Sequence, residues 1–169
     1  MINEKYFIFA STKNEMNLHE IKPVKNINFG PICKPSSGGF WSSEYYEDII
    51  SEWYQFLIDG LGCNEDDIKY VTKFKLNKDA KVFTIDNEED FNRIISLYKM
   101  SMDNLHPVLI SLYDYGIIDY EKLAQDYDAL YLTSNGAREC YFHLYGYDVN
   151  TLLVFNKDCI DKDSIERIK

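Results

Sequence analysis

Three short clusters hold the polar and aromatic side chains whose types suit chemistry. Ser11-Thr12 close an early apolar stretch, Phe40-Trp41-Ser42-Ser43 follow a glycine pair, and Tyr147-Asp148-Val149-Asn150-Thr151 lead into a late apolar run. Hydroxyls at a strand end either bond a ligand or close a turn. Tryptophan and phenylalanine rings offer a flat π-face that takes a flat or cationic ring, and they serve equally as core. A fourth stretch, Tyr141-Phe142-His143-Leu144-Tyr145, sets an imidazole among aromatics, where a satisfied, partly buried histidine is the ordinary outcome. Tyr145 and Tyr147, flanking Gly146, either line a flat-ring pocket or pack.

The signatures of several large enzyme classes are missing: no GxxxxGK[ST] phosphate loop, no GxGxxG, no HExxH and no GxSxG. Cys33, Cys63, Cys140 and Cys159 share no CxxC or CxH spacing, so they read as free, mostly buried thiols in a reducing compartment. His19, His106 and His143 stand apart from one another and from any metal-ligand register, and no structural metal is expected.

The elements that must position these clusters read as follows. Residues 6–10 are aromatic and β-forming and end in polar residues, which predicts a first strand running into a loop. Residues 14–39 are irregular, broken by Pro23, Gly30, Pro31, Pro35 and Ser36-Ser37-Gly38-Gly39; so long a connection is often functional. Ser42-Ser43, with Glu44, Glu47 and Asp48 just beyond, predict a helix start. Tyr46, Ile49, Ile50, Trp53 and Leu57 would form its buried face, and Gly60 and Gly62 its stop. Residues 70–76 and 81–85 predict two strands joined by a turn at Asn77-Lys78-Asp79. Asp86-Asn87 ahead of three acids, then Phe91, Ile94, Ile95 and Tyr98, predict a helix. Asp103-Asn104 and Pro107 break the chain before 108–113, an apolar stretch of open type, and 119–125 reads as a short helix. Residues 129–133 read as a strand, Asn135-Gly136 as a turn, and 152–155 as a short buried strand. The sum is an α+β chain forming a single domain over 1–169, with no repeat and no interdomain linker.

The 169 residues carry 18 basic and 28 acidic side chains, a net charge of −10, with 46% hydrophobic and 15% aromatic residues. That balance excludes a wholly disordered or collagenous chain. It also disfavours an extended nucleic-acid surface, and Lys69, Lys73, Lys75, Lys78 and Lys81 read as one solvated strand face. No apolar run approaches the roughly 18–20 residues of a membrane-spanning helix. The opening Met1-Ile2-Asn3-Glu4-Lys5, without a basic leader or cleavage site, predicts a cytoplasmic protein. Lysine far outnumbers arginine, and Asn, Ile and Tyr are abundant, which fits the coding of an AT-rich, low-GC bacterium or one of its phages.

The order of "FASTKNEMNLHEI", "GGFWSS" opening a helix, and a late "YDALYL … GYDVNTLLVFN" resembles the ADP-ribosyltransferase superfamily over most of the chain. It looks most like the short bacterial and phage members, including DNA-targeting toxins, and more distantly the poly-ADP-ribose polymerases. The resemblance implies a split β-sandwich with short peripheral helices that grips NAD, as substrate, in a cleft between two small sheets. In that family a His or Arg stands on the first strand, a Tyr or Ser on a strand that leads into a helix, and a Glu on a late strand. Here the first position falls near Ser11 and Thr12, followed by Asn17-Leu18 and Ile21, and the His or Arg is absent. The second falls on Phe40-Trp41-Ser42-Ser43, where an aromatic would stack on nicotinamide and Ser42 would stand at the reaction centre, or Ser42 and Ser43 would merely cap a helix. The third falls near Thr151, without a Glu; Asp148 is the nearest carboxylate, its side set by strand register, and Glu139 is a second candidate. The implied activity is transfer of ADP-ribose to a protein or nucleic-acid acceptor. The alternative is a non-catalytic acidic binding module, such as a phage-encoded inhibitor of a host protein or nucleotide signal, using a Tyr-rich surface.

Overall fold

The computed structural model describes residues 2–27, 33–101, 103, 107 and 116–169. Eight strands form one connected sheet: β1 (Phe7–Ser11), β2 (Phe40–Tyr46), β3 (Ile50–Ser51), β4 (Tyr70–Leu76), β5 (Val82–Ile85), β6 (Ala129–Leu132), β7 (Thr151–Val154) and β8 (Ile160–Arg167). The order across it is β5-β6-β7-β2-β1-β4-β8, with β3 hydrogen-bonded to β2. Every pairing is antiparallel except β5 with β6. Four α-helices are described: α1 (Glu52–Asp59), α2 (Glu88–Tyr98), α3 (Tyr120–Asp126) and α4 (Ser134–Glu139).

The sheet must curl. Residues 77–81 join β4 to β5, which lie near opposite ends of the strand order. On a flat sheet with about 4.8 Å between strands they would be roughly 24 Å apart, beyond the roughly 20 Å reach of so short a connection. Curling brings one face of the strands into a common interior: Phe7, Phe40, Phe74, Leu76, Tyr131, Leu152, Val154 and Ile160 form one apolar cluster. The alternate residues point outward and need separate cover, as the period of two requires. Ile8, Ala10 and Val71 are covered by Tyr54 and Leu57 of α1. Phe83, Ile85, Leu130, Leu132 and Leu153 are covered by Phe91, Ile94 and Tyr98 of α2 and by Tyr120 and Leu123 of α3. The result is a single-domain mixed α/β fold built on a curled sheet with few helices.

The strands expected from the sequence over 6–10, 70–76, 81–85, 129–133 and 152–155 are present within a residue or so, and so are the helices after Asn87 and Asp119. Asn87 caps α2 by accepting the Asp90 amide, and Asp119 caps α3 by accepting that of Lys122. The expected turn at 77–79 is present, with the Ala80 amide on the Asn77 carbonyl, but the strands it joins do not pair with each other. The stretch 108–113 and Asn104 lie outside the described residues.

Two expectations are corrected. Ser42 and Ser43 do not open a helix: Phe40–Tyr46 is a strand inside the sheet, bonded to β1 on one side and β7 on the other. Its aromatics fit a pleated surface, and the true helix start comes later, where Ser51 accepts the Tyr54 amide and Glu52 stands in the first turn. Asn135-Gly136 is not a turn but part of α4, capped by Thr133. Gly136 is required there by close approach, since a Cβ would sit 2.2 Å from the Ile85 carbonyl oxygen. Strand β8, IDKDSIER, has no apolar run to announce it; its charges suit an edge strand that must not recruit another.

Candidate functional site

Strands β7 and β2, neighbours at the middle of the sheet, carry Thr151, Trp41 and Ser42 of the candidate site. A cleft of about 180 Å³ opens where the start of β7 meets β2 and the N-terminal turn of α1. Trp41 and Ser42 of β2, Thr151 of β7, Trp53 of α1 and Lys34 line it, with the exposed Asp148 and half-buried Val149 at its rim and the buried Asn150 behind them. Ser42 lies opposite Leu152 in the antiparallel register, which carries Trp41 and the 148–151 segment to the same place.

The aromatic lining is built in layers. Trp41 lies against Tyr147, ring centroids 5.7 Å apart. The Tyr147 hydroxyl is 2.8 Å from that of Tyr120, which donates to the Cys33 carbonyl at 2.6 Å. The Cys33 amide in turn donates to the Tyr145 carbonyl. Cys33 is thus tied from both sides, and Lys34 follows it into the cleft with its ammonium 5.3 Å from the Trp41 ring centroid and 5.4 Å from that of Tyr147. Burial holds the Lys34 pKa below the ordinary lysine value, and the charge of Asp148 opposes that shift. Trp53 stacks on Phe56 and donates its indole N–H to the Ala10 carbonyl at 3.2 Å.

Behind the rim lies a polar lattice. Asn150, with no exposed surface, accepts the Ser43 hydroxyl (2.6 Å) and the Glu44 amide (2.8 Å) at its Oδ1. It donates from Nδ2 to the Tyr46 hydroxyl (3.2 Å) and Ser134 Oγ (3.3 Å), and from its backbone to Glu52 (2.8 Å). Ser134 also donates to Glu52, and Tyr131 donates to Glu44, which further holds Lys5. Every polar atom of the Asn150 side chain is used, so the 148–151 backbone is fixed without help from a ligand. These carboxylates push the Tyr46 and Tyr131 phenols upward, after the larger effect of burial.

Of the residues picked out from the sequence, Trp41, Ser42, Asp148 and Thr151 meet in this cleft although they come from opposite ends of the chain. Ser42 Oγ reaches the Leu152 carbonyl at 3.3 Å, and Thr151 Oγ1 donates to the Val149 carbonyl at 2.9 Å. The others stand elsewhere. Phe40 is in the core interior, stacked on Phe9 at 5.3 Å, because β2 alternates and its face is opposite to that of Trp41. Ser43 is behind the rim, held by Asn150 and the Trp53 amide. Ser11 closes β1 with an ST-turn, its Oγ accepting the Lys13 and Asn14 amides, and Thr12 lies within that turn, outside the lining. Glu139 sits on α4 beside Asn135. His143 is half-buried and stacked on Phe91 at 4.9 Å.

Lys34 and Trp53 are lining residues that the sequence reading did not place at the site, and Val149 and Asn150, though within the Tyr147–Thr151 cluster, were given no role there. A lysine in an irregular loop carries no periodic signal, whereas a polar Asn150 directly before an apolar buried strand was a usable one. Among the described residues no three or more His, Cys, Asp or Glu side chains converge as a metal site, and no helix is long and apolar enough to cross a membrane. Fold and cleft together define a small mixed α/β protein with a cleft lined by two tryptophans. Comparison with family models, curated proteins and solved structures finds no match.

Proposed function

We propose that the chain is an ADP-ribosyltransferase-like protein, a split β-sandwich of that type, which takes NAD into the Trp41–Asp148 cleft and transfers ADP-ribose to a protein or nucleic-acid acceptor. The observation that carries this reading is the meeting of Trp41, Ser42, Asp148 and Thr151 in one cleft. Trp41 and Ser42 fall at the second position of the resemblance and Thr151 at the third, on strands that are hydrogen-bonded neighbours, and Asp148 is the nearest carboxylate, just before β7. The cleft is smaller than the roughly 300–1,000 Å³ of pockets that enclose a whole drug-sized ligand. It therefore receives the nicotinamide and its ribose, with the adenosine half lying along the surface.

In this reaction the bond from the ribose anomeric carbon to the nicotinamide nitrogen breaks, and the bonding pair leaves with nicotinamide as a neutral ring. The acceptor attacks the anomeric carbon and gives up its proton. Trp41 presents a π-face to the cationic ring in the ground state. Asp148 supplies negative charge beside the oxocarbenium-like ribose, the term that electrostatic catalysis depends on most. The test is release of nicotinamide from NAD by wild type and Asp148→Asn. The reading expects a loss of about a hundredfold or more with binding changed only slightly. Unchanged release in the variant would remove Asp148 from the chemistry.

A second reading has its own support. Thr151 stands where the resemblance places a glutamate, and Tyr141, Phe142 and Tyr145 are exposed just before the cleft loop, Phe142 at 87%. Together these favour a binding module that holds a nucleotide or a host protein without turnover. NAD binding with no nicotinamide released, alone or with candidate acceptors, is the outcome that selects it.

A further inference from the structure

Lys34 is a charged lining residue whose chemistry neither reading uses. Its backbone is anchored through Cys33 to Tyr120 and Tyr145, so the side chain is delivered to the cleft by design of the loop and not by chance of a surface rotamer. The ammonium lies over the faces of Trp41 and Tyr147, and among the described residues it has neither a hydrogen-bond nor an ion-pair partner. Asp148 is the charged group that acts on it. Lys34 is only partly buried and water still reaches its ammonium; none of its three donors is taken by a protein acceptor among the described residues, so all three are available to an acceptor brought by a ligand.

We infer that Lys34 reads a phosphate: the cleft takes a ligand made of a flat ring, laid against Trp41, and a phosphate group bonded by the Lys34 ammonium. A cationic ring entering the cleft would repel the ammonium from the Trp41 face and send it toward the phosphate, so the two contacts are compatible. This deepens the proposed NAD site and rests on its ring-binding part. It does not depend on the ring being nicotinamide. A phosphate monoester and the diphosphate of NAD present the same chemistry to a lysine, which binds phosphate as a point charge.

The test is calorimetric titration of two matched pairs, nicotinamide mononucleotide against nicotinamide riboside and AMP against adenosine, together with NAD, into wild type, Lys34→Met and Lys34→Arg. A charge-assisted contact of this kind corresponds to roughly tenfold or more in affinity. In wild type the phosphorylated member of at least one pair binds tighter by that factor. Lys34→Met, folded by its circular dichroism and melting temperature, removes the difference, and Lys34→Arg retains most of it. Tighter mononucleotide than NAD assigns a monoester, and the reverse assigns the diphosphate. Equal affinity within both pairs, or a difference that survives in Lys34→Met, overturns the phosphate inference and leaves NAD binding standing. A Lys34-dependent difference for AMP with no binding of any nicotinamide ligand upholds the inference and removes the NAD reading. No binding of any probe at millimolar concentration overturns both.

Discussion

Asn150 and the phenols around it show how single residues secure the cleft. A buried asparagine is stable only when its amide is fully bonded, and this one draws on β2, on Glu52 of α1, and on Ser134 of α4. The same economy governs the tyrosines. Tyr98, 7% exposed, donates to Asp126 at 2.8 Å, and burial with that carboxylate pushes its phenol up to about 12 from 10.0. Tyr46, Tyr54, Tyr131 and Tyr147 are shifted in the same direction, chiefly by burial. A phenol whose folded pKa exceeds its unfolded value contributes stability that is complete below the unfolded pKa and is lost as pH rises through the folded one. The urea midpoint should therefore begin to fall near pH 9, where the Cys140 and Cys159 thiols, raised by burial from 9.0 to about 11 and about 12, start to ionise in the unfolded chain, and fall further between about pH 10 and 12 as the phenols follow, with phenolate absorbance rising as the chain unfolds. Tyr98→Phe should make that fall shallower. A midpoint flat across the window would contradict the burial assigned to these hydroxyls.

At the scale of elements, the strand-forming and helix-forming patterns were legible where the period was clean. Phe91, Ile94 and Tyr98 gave away α2, and alternation gave away β4 and β5. The region 40–59 was not, for a physical reason: Ser42-Ser43 with Glu44 satisfies the local rule for a helix start, and so does Ser51 with Glu52. Tertiary pairing decides between them. Ser42 and Ser43 are enclosed between β1 and β7, where their amides belong to the sheet, while Ser51 follows a bend at Ile50, whose φ of 64° turns the chain back. Ile50 is a β-branched residue in the left-handed region, a strained conformation that the surrounding packing must hold. The helix cap therefore has a measurable location. Ser51→Ala should destabilise the chain by about 1 kcal/mol (0.5–2) in urea unfolding, and helical circular dichroism should report fraying of α1. A loss below about 0.3 kcal/mol would mean that Ser51 is not the cap.

At the scale of the whole molecule, the strand order makes the site. The resemblance put its motif positions on three separated segments, and the strand order β7-β2-β1 makes those segments neighbours. Trp41, Ser42, Asp148 and Thr151 could be named from the sequence because the resemblance puts its second and third positions at or near them. Lys34 could not, because only the folded loop, pinned at Cys33, brings it over the Trp41 ring. With a net charge of −10, Lys34, the one lysine lining the cleft among the described residues, is also the feature that would draw the proposed anionic ligand to this place against the overall field. The two tryptophans of the chain, Trp41 and Trp53, both line the cleft. Their indole N–H signals in the nitrogen-labelled protein are thus a direct report on it, with no mutation required. Titration with NAD should shift both signals together, saturating at one ligand per chain. Saturation that leaves both indoles unmoved, or NAD that perturbs nothing, would contradict a ring-binding cleft at Trp41.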